Sequence, residues 1–456
     1  MPNSTIIAIS TPPGNGAIGV VRISGPGAEP LLTSVWQGPP PSSWTPKHLY
    51  SGHIVTPEGQ CLDEVLCFIA RAPHSYTGED LVEIQAHGGH YLLELIVTQL
   101  LAMSTKSARL AKPGEFTQRA FLHGRIDLTQ AEAVADLIAA TNQAGVRQAG
   151  RQLAGKLSEL VGKMRRDLLV LRAQMEAMID FPEDEDVQGL HTAEISDRVN
   201  TLEGKITDLL ATYQEGRAWR EGVRVAIVGK PNVGKSSLLN ALLREDRSIV
   251  HESPGTTRDL VEEVCTINGL AIRLIDTAGI RQGAEQVEQE GIKRSRQRIA
   301  QADLILALFD SSRPLDQEDL QIMELVGARD HVKLYTKIDR PPAFAETTLP
   351  QTVPILAISA QDGLGLEGLR KAMVQHFVRP NTASAEVCLS HLRHKLALEQ
   401  ALQTLQHIKD GMAQQISLEF LASDLLIAAR HLGEITGEIT TDELLGEIFS
   451  KFCLGK

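Results

Sequence analysis

The sequence contains no apolar run that reaches the roughly 18 residues needed to cross a membrane. Its first ten residues, MPNSTIIAIS, have neither a basic start nor a long apolar core, which argues against a secretory signal. The five cysteines form no Cys-x-x-Cys pair and show no zinc-site spacing, a pattern typical of free thiols in a reducing compartment. We therefore expect a cytoplasmic protein that makes no membrane contact.

An excess of positive charge is also missing, because the formal net charge is −12. Contact with nucleic acid is therefore expected only at a local basic patch and not over the whole surface. The 456 residues, with 43% hydrophobic and 22% charged side chains, are typical of an ordinary globular protein. This length predicts about three domains, each large enough to bury a core.

A phosphate-binding loop is predicted where the strand-like run 223–228 meets GKPNVGKSS, from Gly229 to Ser237. The glycines allow backbone N–H groups to turn toward an anion, and a helix that begins near Lys235 adds its positive dipole end. Lys235 is placed to reach the β- and γ-phosphates of a nucleotide, and the Ser236 hydroxyl is placed to bind Mg²⁺. The order of strand, loop and apolar helix favours this prediction strongly over an ordinary Gly-rich turn.

The rest of the chain separates into four segments by pattern. Short β-type runs between Gly and Pro breakers predict an α+β domain over 1–118, with helices near 89–103 and after Pro113. Helical periodicity over 119–221 and 380–456 flanks alternating strands and helices over 222–379. The expected fold class is an α/β P-loop domain inserted in an all-α helical domain, preceded by the α+β domain.

One long amphipathic helix is predicted before the acidic PEDEDV, with an apolar stripe that indicates bundle core. The stripe comprises Leu153, Leu157, Val161, Met164, Leu168, Leu171, Met175 and Met178. The same region carries basic residues, and a solvated face is favoured over an RNA-phosphate contact. These are Arg147, Arg151, Lys156, Lys163, Arg165, Arg166 and Arg172.

Four further motifs follow the P-loop in the order of a GTP-binding domain. Thr257 of GTTRD is placed as a second Mg²⁺ ligand, and Asp276 and Gly279 of DTAG are placed to meet Mg²⁺ and the γ-phosphate. Asp339 of TKID would accept two hydrogen bonds from the ring N–H and amino group of guanine, a donor pair that adenine lacks. The pair Ser359–Ala360 fits the loop whose backbone N–H touches guanine O6.

Position 336 departs from the pattern, because GTPases usually have Asn where this chain has Thr336. A Thr hydroxyl is shorter than an amide and does not act as donor and acceptor in the same way. We expect weaker base binding at this position, with guanine still selected by Asp339.

The sequence pattern does not identify which residue orients the water that attacks GTP. Ile280 follows DTAG, so the Gln that does this in Ras-like proteins is missing. A carboxylate from the next stretch must replace it, and spacing does not choose among Glu285, Glu288 and Glu290. Arg258 and Arg281 lie beside the switch motifs, but neither is evidently an arginine finger that neutralises charge in the transition state. Asn232 offers another source of positive charge, because its side-chain oxygen could hold a monovalent cation against the phosphates.

The chain ends in Cys-Leu-Gly-Lys, from Cys453 to Lys456. We expect this tail to be flexible and exposed, and to reach another domain's pocket only if the helical domain docks there. An exposed thiol at such a tip is more readily interpreted as chemistry than as packing.

From end to end the sequence resembles the MnmE (TrmE) family, the tRNA wobble-uridine modification GTPases. The resemblance is carried by PPGNGAIGVVRISG, SYTGED, KPGEFTQRAFLHGRIDLTQAEAVADLI, GKPNVGKSS, SPGTTRD, DTAGIR and FCLGK. It implies a homodimer built through the 1–118 domain, a GTPase activated by K⁺-dependent dimerisation, and Mg²⁺ held by Ser236 and Thr257.

The resemblance also assigns roles in GTP binding and hydrolysis. Glu288 matches the water-orienting carboxylate and is expected, with Lys235, to be catalytic. Asn232 matches the K⁺ ligand, aided by the loop 251–256, in which His251, Ser253 and Thr256 are the expected contributors. The nucleotide-binding residues expected in all are Asn232, Val233, Gly234, Lys235, Ser236, Ser237, His251, Glu252, Ser253, Pro254, Gly255, Thr256, Thr257, Asp276, Thr277, Ala278, Gly279, Thr336, Lys337, Asp339, Ser359 and Ala360.

A tetrahydrofolate site in the 1–118 domain is implied as well, holding a 5,10-methylene or 5-formyl one-carbon unit. Its contacts carry over to Arg22, Glu83, Arg125 and Lys456, with Arg125 standing where relatives often have Lys. Cys453 matches a cysteine needed for modification.

The family's product is a carboxymethylaminomethyl or aminomethyl group on the wobble uridine of tRNA. The implied partner is the FAD-dependent MnmG (GidA) protein, bound as a heterotetramer. Two alternatives compete with this function. One is a regulatory or ribosome-assembly GTPase without modification chemistry, which leaves the 1–118 domain and the FCLGK tail unexplained. The other is a folate-dependent one-carbon transferase in which GTP is merely regulatory.

Overall fold

The protein was analysed as a computed structural model that describes residues 4–104, 108–180, 192–246, 262–276, 299–343, 355–378 and 387–456. Its contacts divide the chain into two compact units, and each is made of separate stretches of sequence. The first unit comprises Met1–Ala135, Gln152–His191 and Thr404–Lys456, and the second comprises Asp136–Arg151 and Thr192–Gln403.

The first unit contains a seven-stranded sheet with the order β3-β4-β5-β6-β2-β1-β7. The strands are β1 (Thr5–Ile9), β2 (Ile18–Ser24), β3 (Trp36–Gln37), β4 (Tyr50–Val55), β5 (Cys61–Ala70), β6 (Leu81–His87) and β7 (Ala108–Leu110). Only the β1–β7 pair is parallel among these described strands. Helices α1 (Ala28–Val35) and α2 (His90–Met103) contribute Leu32, Ile96 and Leu100 to the core against the sheet. This is the predicted α+β domain.

The helices of the first unit confirm the predicted apolar stripe for six of its eight residues, whereas Leu153 belongs to a separate helix and Met178 is only partly buried. These helices are α3 (Glu115–Leu122), α6 (Lys156–Asp180), α13 (Leu418–Thr436) and α14 (Asp442–Ser450). The unit also includes α4 (Leu128–Ala139) up to Ala135 and α12 (Leu392–Ala413) from Thr404 onward, because the unit boundaries fall inside these two helices. Helix α6 packs along α13. Leu157, Val161, Met164, Leu168, Leu171 and Met175 of the stripe are all buried. The basic side of the same helix is partly paired, since Arg165 lies 2.5 Å from Glu438 and Arg172 lies 2.6 Å from Glu176.

The second unit contains a six-stranded sheet with the order β13-β12-β11-β8-β10-β9. The strands are β8 (Val223–Gly229), β9 (Glu262–Ile267), β10 (Leu270–Asp276), β11 (Leu304–Asp310), β12 (His331–Thr336) and β13 (Ile355–Ile358). All pairs are parallel except the β9–β10 hairpin. In such a sheet the carboxyl ends of the parallel strands form one edge, where ligands of open α/β folds bind.

Helices cover both faces of this sheet. Helices α9 (Lys235–Asp246) and α11 (Leu366–Phe377) supply Leu238, Leu242 and Leu369 to one core. Helix α10 (Gln317–Val326) supplies Val326 to the core on the other face. The unit also contains α7 (Thr192–Ala211), α8 (Tyr213–Glu221) and α5 (Gln143–Leu153) up to Arg151, where the unit boundary falls.

The predicted fold class is confirmed, because a P-loop α/β sheet lies in the chain between helical segments and after an α+β domain. The boundaries at residues 118, 221 and 379 remain a prediction, since the two units group the chain differently from a division by sequence pattern. Among the helices of the described residues, none combines the length and the apolar character that crossing a bilayer requires.

Candidate functional site

The predicted phosphate-binding loop connects β8 to α9. Asn232 and Gly234 adopt left-handed backbone with φ of 60° and 106°, which turns the chain back on itself before the helix begins at Lys235. Gly229 is required at the start of the loop, because a Cβ there would lie 2.8 Å from Cγ1 of Val233 and 2.9 Å from the carbonyl oxygen of Leu308. The helix therefore begins directly after this turn, so the positive end of its dipole points to the loop.

Lys235 is buried, and its ammonium lies against the carbonyl oxygens of the loop. Nζ donates to Gly229 O at 2.6 Å and to Lys230 O at 2.7 Å. Ser236 and Ser237 follow as exposed residues in the first turn of α9, and Asn232 is exposed at the rim. A cation, a helix N-terminus and a hydroxyl therefore converge at one place, which is the chemistry that binds a polyphosphate and its Mg²⁺.

A second lysine of the loop holds it against α10, and sequence reasoning missed this residue. Lys230 Nζ donates to Asp316 Oδ2 at 2.7 Å and to Asp319 Oδ2 at 2.6 Å. Burial alone would lower the pKa of Lys230, but hydrogen bonds to the two carboxylates raise it, so the ammonium stays charged. Asp316 and Asp319 also form the capping box of α10, whose Asp-x-x-Asp spacing was the one signal in the sequence.

The predicted base-binding residues lie at the same sheet edge. Thr336 is buried at the end of β12, and its Oγ1 donates to Val233 O at 2.7 Å, with Phe309 O at 3.2 Å. Asp339 follows three residues later with its side chain 24% exposed and its Oδ2 3.8 Å from Arg340 Nε, so a carboxylate lies near the surface after this strand. Ser359 is fully buried after β13, where its backbone N–H donates to Leu364 O at 3.0 Å.

Lys337 is held by the end of β11. Its φ is 61°, and its Nζ donates to Asp310 Oδ2 at 2.6 Å. Burial alone would raise the pKa of Asp310, but hydrogen bonds from Lys337 and Ser312 lower it to about 2. Ala360 opens the turn after Ser359. The structure therefore brings together the P-loop, the TKID segment and the Ser359–Ala360 turn.

Several predicted residues lie outside the described part of the chain. These are His251, Glu252, Ser253, Pro254, Gly255, Thr256, Thr257, Thr277, Ala278, Gly279 and Glu288, with Arg258, Arg281, Glu285 and Glu290. Asp276 ends β10, next to β8 at the P-loop edge.

Two of the four residues assigned to folate by resemblance, Glu83 and Arg125, line one pocket of the first unit. This Glu83 pocket has a volume of about 540 Å³, and its lining includes Glu83, Arg125, Tyr76, Phe68, Gln85 and Lys47. Arg22 pairs with Glu83, with Nη2 at 2.7 Å and Nε at 2.8 Å from Oε1. Arg125 is held by a hydrogen bond from Nε to Ser75 O at 3.1 Å.

The end of the C-terminal tail is docked beside this pocket, so the prediction of a flexible, exposed tail is wrong for Gly455 and Lys456, whereas Cys453 and Leu454 are exposed as predicted. Gly455 O accepts hydrogen bonds from Arg22 Nη1 at 3.2 Å and from Ser10 Oγ at 3.0 Å. The backbone N–H of Phe116 donates to Lys456 O at 3.1 Å. Gly455 has a φ of 85°, and a Cβ there would clash with Ile9 O. Sequence pattern could not predict this docking, because its partners come from the first strands and α3.

Within the docked tail, Cys453 and Lys456 differ in their surroundings. Cys453 remains exposed. Lys456 is half-buried, and burial together with the nearby Arg22 guanidinium lowers the pKa of its ammonium. Lys456 also interacts electrostatically with Glu83, so the tail places Lys456 near the Arg22–Glu83 pair.

The sequence matches two family models. "MnmE helical domain" matches residues 128–453, and "GTP-binding protein TrmE N-terminus" matches residues 5–125. A relative from Geotalea uraniireducens is 42% identical over 455 residues, 99% of each chain. A relative from Enterococcus faecalis is 42% identical over 460 residues, which cover 99% of this chain and 98% of the relative. Both relatives carry the name tRNA modification GTPase MnmE.

Two solved structures with similarity to this chain contain parts that match its sequence. The G domain of the T. maritima FeoB iron transporter is 28% identical, and the match covers 34% of this chain and 98% of that chain with a TM-score of 0.25. A variant of Era from Aquifex aeolicus, bound to GDP and AlF4⁻, is 29% identical over 40% of this chain and 66% of that chain, with a TM-score of 0.28. At TM-scores this low, the family assignment depends on the sequence matches.

Proposed function

The chain belongs to the MnmE family of tRNA modification GTPases, and from this premise we propose that it hydrolyses GTP at the P-loop edge of the second unit in support of tRNA modification. The observation that carries the proposal is the convergence of Lys235, the first turn of α9 and the Asp339 carboxylate at one sheet edge. Backbone amides and Lys235 would bind the β- and γ-phosphates, while Asp339 would select guanine.

Two cations fit the residues of this site. Ser236 is exposed in the first turn of α9, where its hydroxyl would hold Mg²⁺ together with Thr257. Asn232 is exposed at the rim of the loop with left-handed backbone, a placement that supports its role as a K⁺ ligand with the 251–256 loop. Both ions would neutralise charge that develops on the phosphates in the transition state. Glu288 would orient the attacking water.

The Glu83 pocket fits a tetrahydrofolate. Its volume of about 540 Å³ lies within the usual range for small-molecule sites. Tyr76 and Phe68 offer ring faces for a flat heterocycle, Glu83 offers a carboxylate for its N–H groups, and Arg125 and Lys47 offer cations for an anionic tail. When bound, the folate would supply the one-carbon unit. Arg22 and the docked tail would position Glu83 and keep Cys453 near the site.

The full activity we propose is the addition of a carboxymethylaminomethyl or aminomethyl group to C5 of the wobble uridine of certain tRNAs. The proposed assembly is a homodimer that works with the FAD-dependent MnmG protein, as a heterotetramer. The docking of FCLGK beside the Glu83 pocket supports this function over a regulatory GTPase switch, which gives neither the pocket nor the tail a purpose.

Three measurements test the proposal. Nucleoside analysis of tRNA from a deletion strain is expected to show loss of the wobble modification, and unchanged tRNA would favour the regulatory switch. GTP hydrolysis is expected to be faster in K⁺ than in Na⁺, and equal rates would remove the role of Asn232. Glu288→Ala is expected to abolish fast turnover while nucleotide still binds, and a wild-type rate would move the role to Glu285 or Glu290.

A further inference from the structure

The edge of the second-unit sheet opposite to the P-loop holds a polar pocket that the proposed function does not use. Strands β8, β10 and β11 run parallel, so their amino-terminal ends share this edge. The pocket has a volume of about 270 Å³ and is lined by Arg217, Glu221, Arg224, Arg273, Gln301 and Asp303, which together define the Arg273 pocket. It is many times larger than one water molecule.

The two carboxylates of the Arg273 pocket already have cationic or amide partners. Asp303 Oδ1 accepts from Arg217 Nη2 at 2.5 Å, and Asp303 Oδ2 accepts from the backbone N–H of Arg224 at 2.8 Å. Glu221 pairs with Arg217 Nε at 3.4 Å and with Arg220. Because Asp303 and Glu221 are already paired, neither carboxylate fully neutralises a further guanidinium in this pocket.

Arg224 and Arg273 are direct neighbours across the sheet. They are register partners in the parallel β8–β10 pair, so their side chains leave the same face. Each is exposed between two buried residues of its own strand. Among the described residues, no carboxylate forms an ion pair with either side chain.

Two like charges on neighbouring positions of adjacent strands repel and destabilise a sheet. An anion bound between them would remove this repulsion. The planar guanidinium presents two parallel N–H groups to a phosphate, which makes paired arginines a site for phosphate oxygens in preference to single-point anions.

We propose that the Arg273 pocket binds a phosphate group through Arg224 and Arg273, and that the phosphate belongs to the backbone of the RNA substrate. The assignment of this phosphate to RNA rests on the proposed function. It is favoured by the net charge of −12, which confines any RNA contact to local cationic places such as this one. Free inorganic phosphate presents the same chemistry and is separated by experiment.

The test compares two full-length double variants that remove the same charge. Arg224→Gln with Arg273→Gln empties the pocket of its unpaired cations. Arg329→Gln with Lys371→Gln removes two exposed cations from elsewhere in the same unit. Neither pair belongs to the nucleotide site, so GTP hydrolysis without RNA is expected to match the wild type in both.

Affinity for a tRNA transcript is then measured over a series of NaCl concentrations. Loss of the two arginine contacts to this phosphate is expected to lower the slope of log K against log salt by about 1 and to weaken binding on the order of tenfold near 0.1 M salt. The control variant is expected to keep the wild-type slope. Equal changes in both variants, or no change in either, would overturn the proposal.

A second arm uses inorganic phosphate at constant ionic strength and follows the thermal midpoint. If phosphate stabilises the wild type but not the pocket variant, and tRNA affinity is the same in both, the site binds phosphate and the RNA assignment is overturned. If the wild type itself binds no tRNA, the proposed function fails. The phosphate arm then still decides whether the pocket binds an oxyanion.

Discussion

The hydroxyl of Thr336 donates a hydrogen bond to the backbone carbonyl of Val233 at 2.7 Å, which joins the end of β12 to the middle of the phosphate-binding loop. A hydroxyl has one proton, and here it points to the loop, with Phe309 O also within 3.2 Å. Thr336 thus positions the loop and has no second donor for a base. This gives a physical basis for the weaker base binding predicted at this position.

Thr336→Val keeps the shape of the side chain and removes the donor. We expect a lower thermal midpoint and a higher Kd for GDP, because the buried Val233 carbonyl loses its partner at a cost of about 1–3 kcal/mol. Thr336→Ser keeps the hydroxyl and serves as the control. Nucleotide titration and thermal unfolding measure both effects, and a Val variant that matches the Ser variant would contradict this role.

Lys230→Met is expected to destabilise the second unit strongly. The Asp319 side chain is only 4% exposed, and removing the lysine leaves a buried carboxylate without its cation, a change that costs about 3–5 kcal/mol. Urea unfolding followed by circular dichroism measures the loss. Adding Asp319→Asn to Lys230→Met removes the buried charge and is expected to recover part of the stability. No recovery would show that charge burial is not the cause.

Gly455→Ala is expected to undock the C-terminal tail, because the left-handed backbone and the adjacent Ile9 carbonyl leave no place for a Cβ. Faster proteolysis of the tail and reduced tRNA modification would follow. Gly446→Ala is the matched control, since nothing lies within 4 Å of a Cβ at that helical position. In that variant the tail should stay docked and α14 should gain about 0.5–1 kcal/mol. Equal proteolysis of the two variants would show that the tail does not depend on Gly455.

Glu115 is expected to make the first unit sensitive to acid. Burial alone would raise its pKa, but hydrogen bonds from Arg109, the Lys112 amide and Arg119 lower the pKa to about 2. Its folded pKa thus lies below the unfolded value of about 4.3, so its stabilisation is present above that value and is lost as the pH falls toward 2.

The corresponding variant is Glu115→Gln, with the exposed Glu64→Gln as control. At pH 7 the Glu115 variant should have a lower thermal midpoint than the wild type, by an amount equivalent to about 2 kcal/mol. The difference between the two should shrink between pH 5 and pH 3. A difference that stays constant over this range would rule out the carboxylate charge as the source.

Local motifs determined much of the fold and of the nucleotide site from sequence. GKPNVGKSS requires glycine and left-handed turns within a few residues, so the loop between β8 and α9 followed from residue types alone. The periodic stripe of α6 likewise specified a buried helix face. By contrast, Arg22 and Glu83 carried no signal of their own, because a charged residue on a strand is usually solvated, and only the family resemblance singled them out.

What the tertiary structure decided was which distant groups meet. Lys230 reaches Asp316 across 86 residues, Thr336 reaches Val233 across 103, and Arg22 reaches Gly455 across 433. The pairing of Arg224 with Arg273 depends in the same way on strand register. The sequence by itself determined the chemistry that each segment offers, since backbone conformation and amphipathic pattern are local. The order of strands in the sheets and the docking of the C-terminal tail decided which of these segments form a common site, because contacts between residues far apart in sequence depend on tertiary packing.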